Sequence, residues 1–276
     1  MIQDDFIFDG ESLRSHGYLI SATNSVDESI VASNMEYQTI KAPRSDVTRK
    51  IGDEYPETYT RTISITKDNC VWGDDNLYLT NDDISEMTKW LCRKTYKWFR
   101  WNSDNAEDIY DEVWYEVMFD VNNAELGGKV TDLELTIKTN RPYGVTRIIK
   151  NEWNSADEPS KMIGVHSDEE GYIYPNMTIT VVDPGEDRVL EITNTAEGSE
   201  GRTTQFKNCT AGEVIRIYGE DVLQVSSSNS EHNLADDFNY KFPRLLNEYR
   251  NSKNTFEINI EVEVIMEYRG IRKVGI

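Results

Sequence analysis

The strongest constraint on this chain is the recurrence of short runs in which apolar and polar residues alternate. TYTRTISITK (58–67), KWFRW (97–101), DEVWYEVMFDV (111–121), VTDLELTIKT (130–139), NMTITVVD (176–183), VLEITN (189–194) and EVIRIYG (213–219) all carry it. A period of two places every second side chain on one face, the pattern of a half-buried strand. Turn-forming clusters such as LGGK, DPGED, EGSEG and NSKN separate the runs. Many short strands at this spacing predict β-sandwiches rather than βαβ units. The last run predicts one long strand, with Phe256, Ile258, Ile260, Val262 and Val264 on its buried face. Just before it, FPRLLNEYRNSKN has no strand rhythm. Phe238, Tyr240, Phe242, Leu245 and Leu246 are expected to pack there as an aromatic and aliphatic plug.

One segment keeps a different period. In NDDISEMTKWLCRK (81–94), Ile84, Met87, Trp90 and Leu91 fall on one face of a helix. Asn81, Asp82 and Asp83 stand at its start and Arg93 and Lys94 at its end, as caps and the helix dipole favour. A second short helix is possible over 231–238. Between 141 and 172 the rhythm lapses, which places a domain boundary near Pro142. The expected fold class is therefore mainly β. An N-terminal β-sandwich-like domain, 1–141, carries one helix at about 81–94, and an all-β sandwich domain occupies 142–276. The polar stretch APRSDVTRKIGDEYPE (42–57) reads as a surface loop or a projecting hairpin. Its Arg44, Arg49 and Lys50 are candidate interface residues for salt-sensitive contacts to acidic neighbours.

Charge and cysteines narrow the function. Fifty acidic residues face 29 basic ones, a net charge of −21. Phosphate binding needs clustered Lys and Arg, so sequence-specific nucleic-acid recognition is not expected. No apolar run approaches the roughly 20 residues of a membrane helix, and the N-terminal MIQDDFIFDG lacks the pattern of a secretory signal. Membrane insertion is not expected. Cys70, Cys92 and Cys209 form no CxxC pair, which disfavours a disulfide framework and a zinc site.

Catalytic motifs are missing from the sequence. GxSxG, HExxH, GxxxxGK[ST] and GxGxxG do not occur. His16, His166 and His232 are far apart, so no metal-binding helix face is expected. Adjacent acids (Asp74-Asp75, Asp82-Asp83, Glu169-Glu170, Asp236-Asp237) carry little signal in so acidic a chain. No enzyme activity, metal or cofactor is expected. Trp72, Trp90, Trp98, Trp101, Trp114 and Trp153 fit cores and protein contacts, with a sugar-stacking platform as the sharper alternative.

The order of these features resembles the distal tail protein (Dit) family of long-tailed phages. The resemblance runs through FIFDGESLRSHGYLI, GDEYPETYTRTISITK, DISEMTKWLCRK, YKWFRWNSDNAEDIYDEVWYEVMF and DLELTIKTNRPYGV. It continues through GYIYPNMTITV, GEVIRIYGED and DDFNYKFPRLLNEYRNSKNTFEINIEVEVIMEYR. It departs from the family in a longer turn before the last strand and in lacking an inserted sugar-binding module. The resemblance implies a ring-forming N-terminal β-domain and a galectin-like C-terminal β-sandwich. It implies a structural virion protein, made in the host cytoplasm, that forms a homo-oligomeric ring of six. Its other partners would be the tail tube protein and a tail-tip or tail-associated baseplate protein. The alternative is a carbohydrate-binding β-sandwich that recognises the host envelope; a glycosidase or peptidase is more remote.

Overall fold

The computed structural model describes residues 5–23, 35–44, 46–55, 58–73, 76–102, 112–126, 128–198, 201–220, 222–249 and 252–274. The architecture is mainly β, with two compact units. The first comprises residues up to Thr146 together with the tail from Arg272, and the second Arg147–Ile271. The tail therefore counts with the first unit rather than with the domain that precedes it in sequence. Within that unit, the Tyr115 hydroxyl donates to the carbonyl of Val274 (2.7 Å).

The first unit is built on a seven-stranded antiparallel sheet. In chain order its strands are β1 (Phe6–Phe8), β2 (Glu11–Ser12), β3 (Tyr18–Thr23), β6 (Thr60–Lys67), β7 (Lys97–Trp101), β8 (Tyr115–Leu126) and β9 (Lys129–Thr139). They lie in the spatial order β2-β1-β7-β8-β9-β6-β3. Between β3 and β6 come β4 (Glu36–Lys41) and β5 (Thr48–Glu54), which form a separate two-stranded sheet. A short turn, α1 (Asn69–Trp72), and the main helix, α2 (Asn81–Leu91), follow β6.

Helix α2 forms because its start is closed chemically and one face is apolar. Thr80 is the N-cap: its hydroxyl accepts from the Asp83 amide while the Asp83 carboxylate accepts from the Thr80 amide, a capping box. The helix ends at Leu91, three residues short of the expected end, with Cys92 as its cap. Met87, Trp90 and Leu91 are buried, and Ile84 packs partly against the same core. Trp90 stacks on Phe6 (centroids 5.8 Å apart), and Phe8 meets Phe119 edge to face at 5.0 Å. Aromatic pairs in these geometries add to the stabilisation that burial alone provides.

After β10 (Gly144–Val145), the second unit contains two main sheets. One has five strands in the order β11-β21-β14-β17-β18, from β11 (Ile149–Asn154), β14 (Asn176–Asp183), β17 (Val214–Tyr218), β18 (Gln224–Ser227) and β21 (Glu261–Tyr268). The other has four in the order β12-β20-β15-β16, from β12 (Ser160–Gly164), β15 (Leu190–Asn194), β16 (Arg202–Phe206) and β20 (Lys253–Ile258). A small pair, β13 (Gly171–Ile173) with β19 (Leu245–Asn247), and a short helix, α3 (Leu234–Asp237), complete it.

The expected single C-terminal strand is two strands in two different sheets. β20 ends at Ile258, the chain bends at Asn259 and Ile260, and β21 begins at Glu261. The bend is held by the Asn259 side chain, which accepts from the Glu191 amide (2.7 Å) and donates to the Val189 carbonyl (3.0 Å). The two-residue corner preserves parity. Phe256, Ile258, Val262, Val264 and Met266 are all buried, although Ile260 at the corner is only partly so.

Candidate functional site

The expected plug exists in part. Phe238 is buried and stacks on Phe206 with centroids 4.8 Å apart. Leu245 and Leu246 are buried and Phe242 is half-buried, but Tyr240 is 64% exposed. Tyr240 lies at φ 57°, and its hydroxyl donates to the Ala235 carbonyl. A left-handed backbone there turns the ring outward, which period-based reading could not anticipate. Behind the plug, Asn254 is fully buried and brackets Leu246 by accepting from its amide (2.7 Å) and donating to its carbonyl (2.9 Å). Arg244 lies over the Tyr172 ring (3.5 Å) and donates to both carboxylate oxygens of Glu197. This segment is scaffold, stapled to the sandwich by side chains distant in sequence.

Several of the groups that could have suggested chemistry have structural partners. Asp83 caps α2 and pairs with Lys67. Asp82 lies in the first turn of α2. His16 stacks on Trp90 (4.1 Å) and bonds Glu11 (2.9 Å). Asp236 accepts from the Asn233 side chain and Asp237 from the Asn208 side chain. Asp74 and Asp75 lie outside the described residues. Among the described residues, no three His, Cys, Asp or Glu side chains come together as a metal-holding group. Trp90 and Trp153 are buried, while Trp72 is 37% exposed.

The feature with no structural duty of its own is the β4–β5 hairpin. Its register runs from Glu36 opposite Glu54 to Lys41 opposite Thr48, with an irregularity after Gln38. Nearly every residue in it is exposed, including Tyr37 (61%), Ile40 (55%), Val47 (63%) and Ile51 (66%). Water disfavours such exposure, and a lone two-stranded ribbon is marginal by itself. Interstrand contacts hold it. Lys50 lies over the Tyr37 ring (4.7 Å) and Gln38 donates to Glu54 (3.1 Å) across the ribbon, while Lys50 also pairs with Asp53 along its own strand (2.8 Å).

The three expected interface residues all fall on this hairpin. Arg44 is in the connecting turn at φ 64°, Arg49 stands opposite Ile40, and Lys50 opposite Thr39. Over residues 41–50, Lys41, Arg44, Arg49 and Lys50 against Asp46 leave a local charge of +3, in a chain of −21. Among the described residues, Lys50 has its own carboxylate partner, whereas Arg44 and Arg49 have none. Sequence reading anticipated the basic turn. It missed the first arm, 36–41, because EYQTIK lacks a sustained alternation.

Residues 1–141 match the model of a phage tail protein N-terminal domain, and residues 143–268 that of a phage tail C-terminal domain. No curated protein matches in sequence. Among solved structures, the fold is similar to the SPP1 Dit protein, described as a paradigm of the hub adsorption apparatus in phages infecting Gram-positive bacteria. That match has a TM-score of 0.63 at 10% identity and covers 96% of this chain and 98% of that one. A chain of the phage P2 baseplate in its activated conformation aligns over 98% of both chains, at 7% identity and a TM-score of 0.46. With both of its domains matched, the chain belongs to the phage tail protein family.

Proposed function

We propose that this protein is a distal tail hub: a structural virion component that closes into a ring of six copies and joins the tail tube to the tail-tip or baseplate proteins. The observation that carries the reading is the β4–β5 hairpin. It exposes apolar side chains that a monomer has no reason to display, and its outer part, residues 41–50, is basic on an acidic protein. Such a ribbon suits a heterologous contact, in which the arm of one copy meets a different surface of the next and the rotation closes. Its Arg44, Arg49 and Lys50 would meet carboxylates of the neighbour, giving the contact orientation and salt sensitivity. Family membership and the Dit-like fold support the same reading. The work is done by interfaces, without turnover, in the tail of a particle assembled in the host cytoplasm.

The test is the solution mass of the full chain by light scattering, across protein concentration and salt. The reading expects a rise towards six times 31.9 kDa, weakened by salt. A strict monomer at every concentration, which also fails to gain mass with tail-tube or tail-tip protein, would overturn it.

A further inference from the structure

The second unit hides a charged cluster that no interface reading uses. The side chains of Glu213 and His232 are both fully shielded from solvent. Nδ1 of His232 meets Oε1 of Glu213, and Oδ2 of Asp237 lies 3.6 Å from the other ring nitrogen, Nε2. Among the described residues, that Nε2 is buried with no hydrogen-bond partner. Ser227 donates to Glu213, as do the amide and hydroxyl of Thr210. The groups facing the ring are therefore the carboxylates of Glu213, from the turn before β17, and Asp237, from α3. Behind them stand the Cys209 thiol, pushed up to about 11 mainly by burial, and the Arg188 guanidinium. Arg188 spends its donors on the carbonyls of Asn208 and Cys209.

We infer that His232 is a pH-sensitive latch, holding the segment 232–242 over the edge of β16 when its ring carries a proton on both nitrogens. A neutral imidazole donates from one nitrogen only, so it cannot serve both carboxylates. The lone pair of its unprotonated nitrogen would then face Asp237 or Glu213 inside the protein, where unpaired charge is costly. A doubly protonated ring satisfies both. The segment it holds lies along β16. The Lys207 amide donates to the Asp237 carbonyl (2.9 Å), the Asn239 amide to the Gln205 carbonyl (3.2 Å) and the Thr204 hydroxyl to the Lys241 carbonyl (2.7 Å). Phe238 stacks on Phe206 beneath them. Releasing the latch loosens the cover of a sheet edge, and an uncovered edge can pair with another strand. Loss of the second ring proton leaves one of the two carboxylates without a donor, so the latch opens as pH rises.

The test is amide hydrogen exchange on the full chain between about pH 5.5 and 8.5, corrected for intrinsic rates, with the β14–β21 ladder as the internal reference. Protection at Lys207 and Asn239 is expected to fall about tenfold relative to the reference as pH rises, and the fall is expected to vanish in His232→Gln. Should that variant not fold, Asp237→Asn retains the Glu213 contact and is expected to reduce the fall. A pH-independent protection ratio in the unmodified protein would overturn the latch, as would the same fall in either variant.

Discussion

Lys67 and Asp83 meet at 2.7 Å, with side chains only 4% and 12% exposed. The pair ties the last residue of β6 to the first turn of α2. Lys67 also donates to the Tyr78 carbonyl (3.3 Å) and lies over the Trp72 ring (4.2 Å). Removing one partner leaves the other charge buried and unmatched. Lys67→Met is expected to lower unfolding free energy by about 3 kcal/mol. The double variant with Asp83→Asn should recover part of that. Urea denaturation of the single and double variants measures the coupling, and strictly additive losses would contradict the pairing.

Glu213 sets an acid limit on stability. Burial pushes its carboxyl up, but hydrogen bonds from His232, Ser227 and the Thr210 amide outweigh this and hold it below the ordinary 4.5. A carboxyl depressed in the folded state contributes stability that is present above its unfolded pKa. That contribution is lost as pH falls through the folded value. Unfolding free energy should therefore drop below about pH 4.5, and Glu213→Gln should flatten that limb while lowering stability near neutrality. Denaturation midpoints from pH 3 upwards would show it; an unchanged acid limb in the variant would count against the network.

The hairpin makes the opposite prediction. Tyr37→Ser and Ile51→Ser change residues that are 61% and 66% exposed, so each should shift unfolding free energy by no more than about 0.5 kcal/mol. Self-association should nevertheless weaken. Arg44→Glu with Arg49→Glu should weaken it further and reverse its salt dependence. Sedimentation alongside thermal melts separates the two effects, and variants that lose stability but keep full association would show the hairpin to be scaffold.

The plug residues are ranked by burial. Phe238→Ala, at 3% exposure, should cost about 3–5 kcal/mol. Half-buried Phe242→Ala should cost less. Tyr240→Ala removes a ring that is 64% exposed and should be close to neutral. Equal losses for Phe238 and Tyr240 would contradict the outward turn at Tyr240.

Gly219 is a backbone test. A Cβ there would lie 2.5 Å from the carbonyl oxygens of both Tyr174 and Pro175, and backbone cannot yield as a side-chain tip can. Its amide also donates to Asn176 (2.9 Å). Gly219→Ala should cost about 1–3 kcal/mol. A melt indistinguishable from that of the unmodified protein would refute the close approach.

Local pattern determined much of this protein by itself. Alternation announced the strands, and the 3.6-residue period placed Met87, Trp90 and Leu91 on the core face of α2. These are properties of neighbouring residues, legible because side-chain direction repeats along the backbone. The cations Arg44, Arg49 and Lys50 and the choice between a loop and a projecting hairpin were legible from composition, but the first arm, Glu36–Lys41, was not. Tertiary structure alone decided that residues 253–268 split between two sheets, because a two-residue corner leaves the alternation intact while Asn259 bonds across it. It also decided that Lys67 meets Asp83 and that His232 lies between Glu213 and Asp237. In a chain with fifty acids, the partner of a charge such as Lys67 or His232 is set by which separate segments the fold brings together. Nothing in its neighbours along the sequence records that choice.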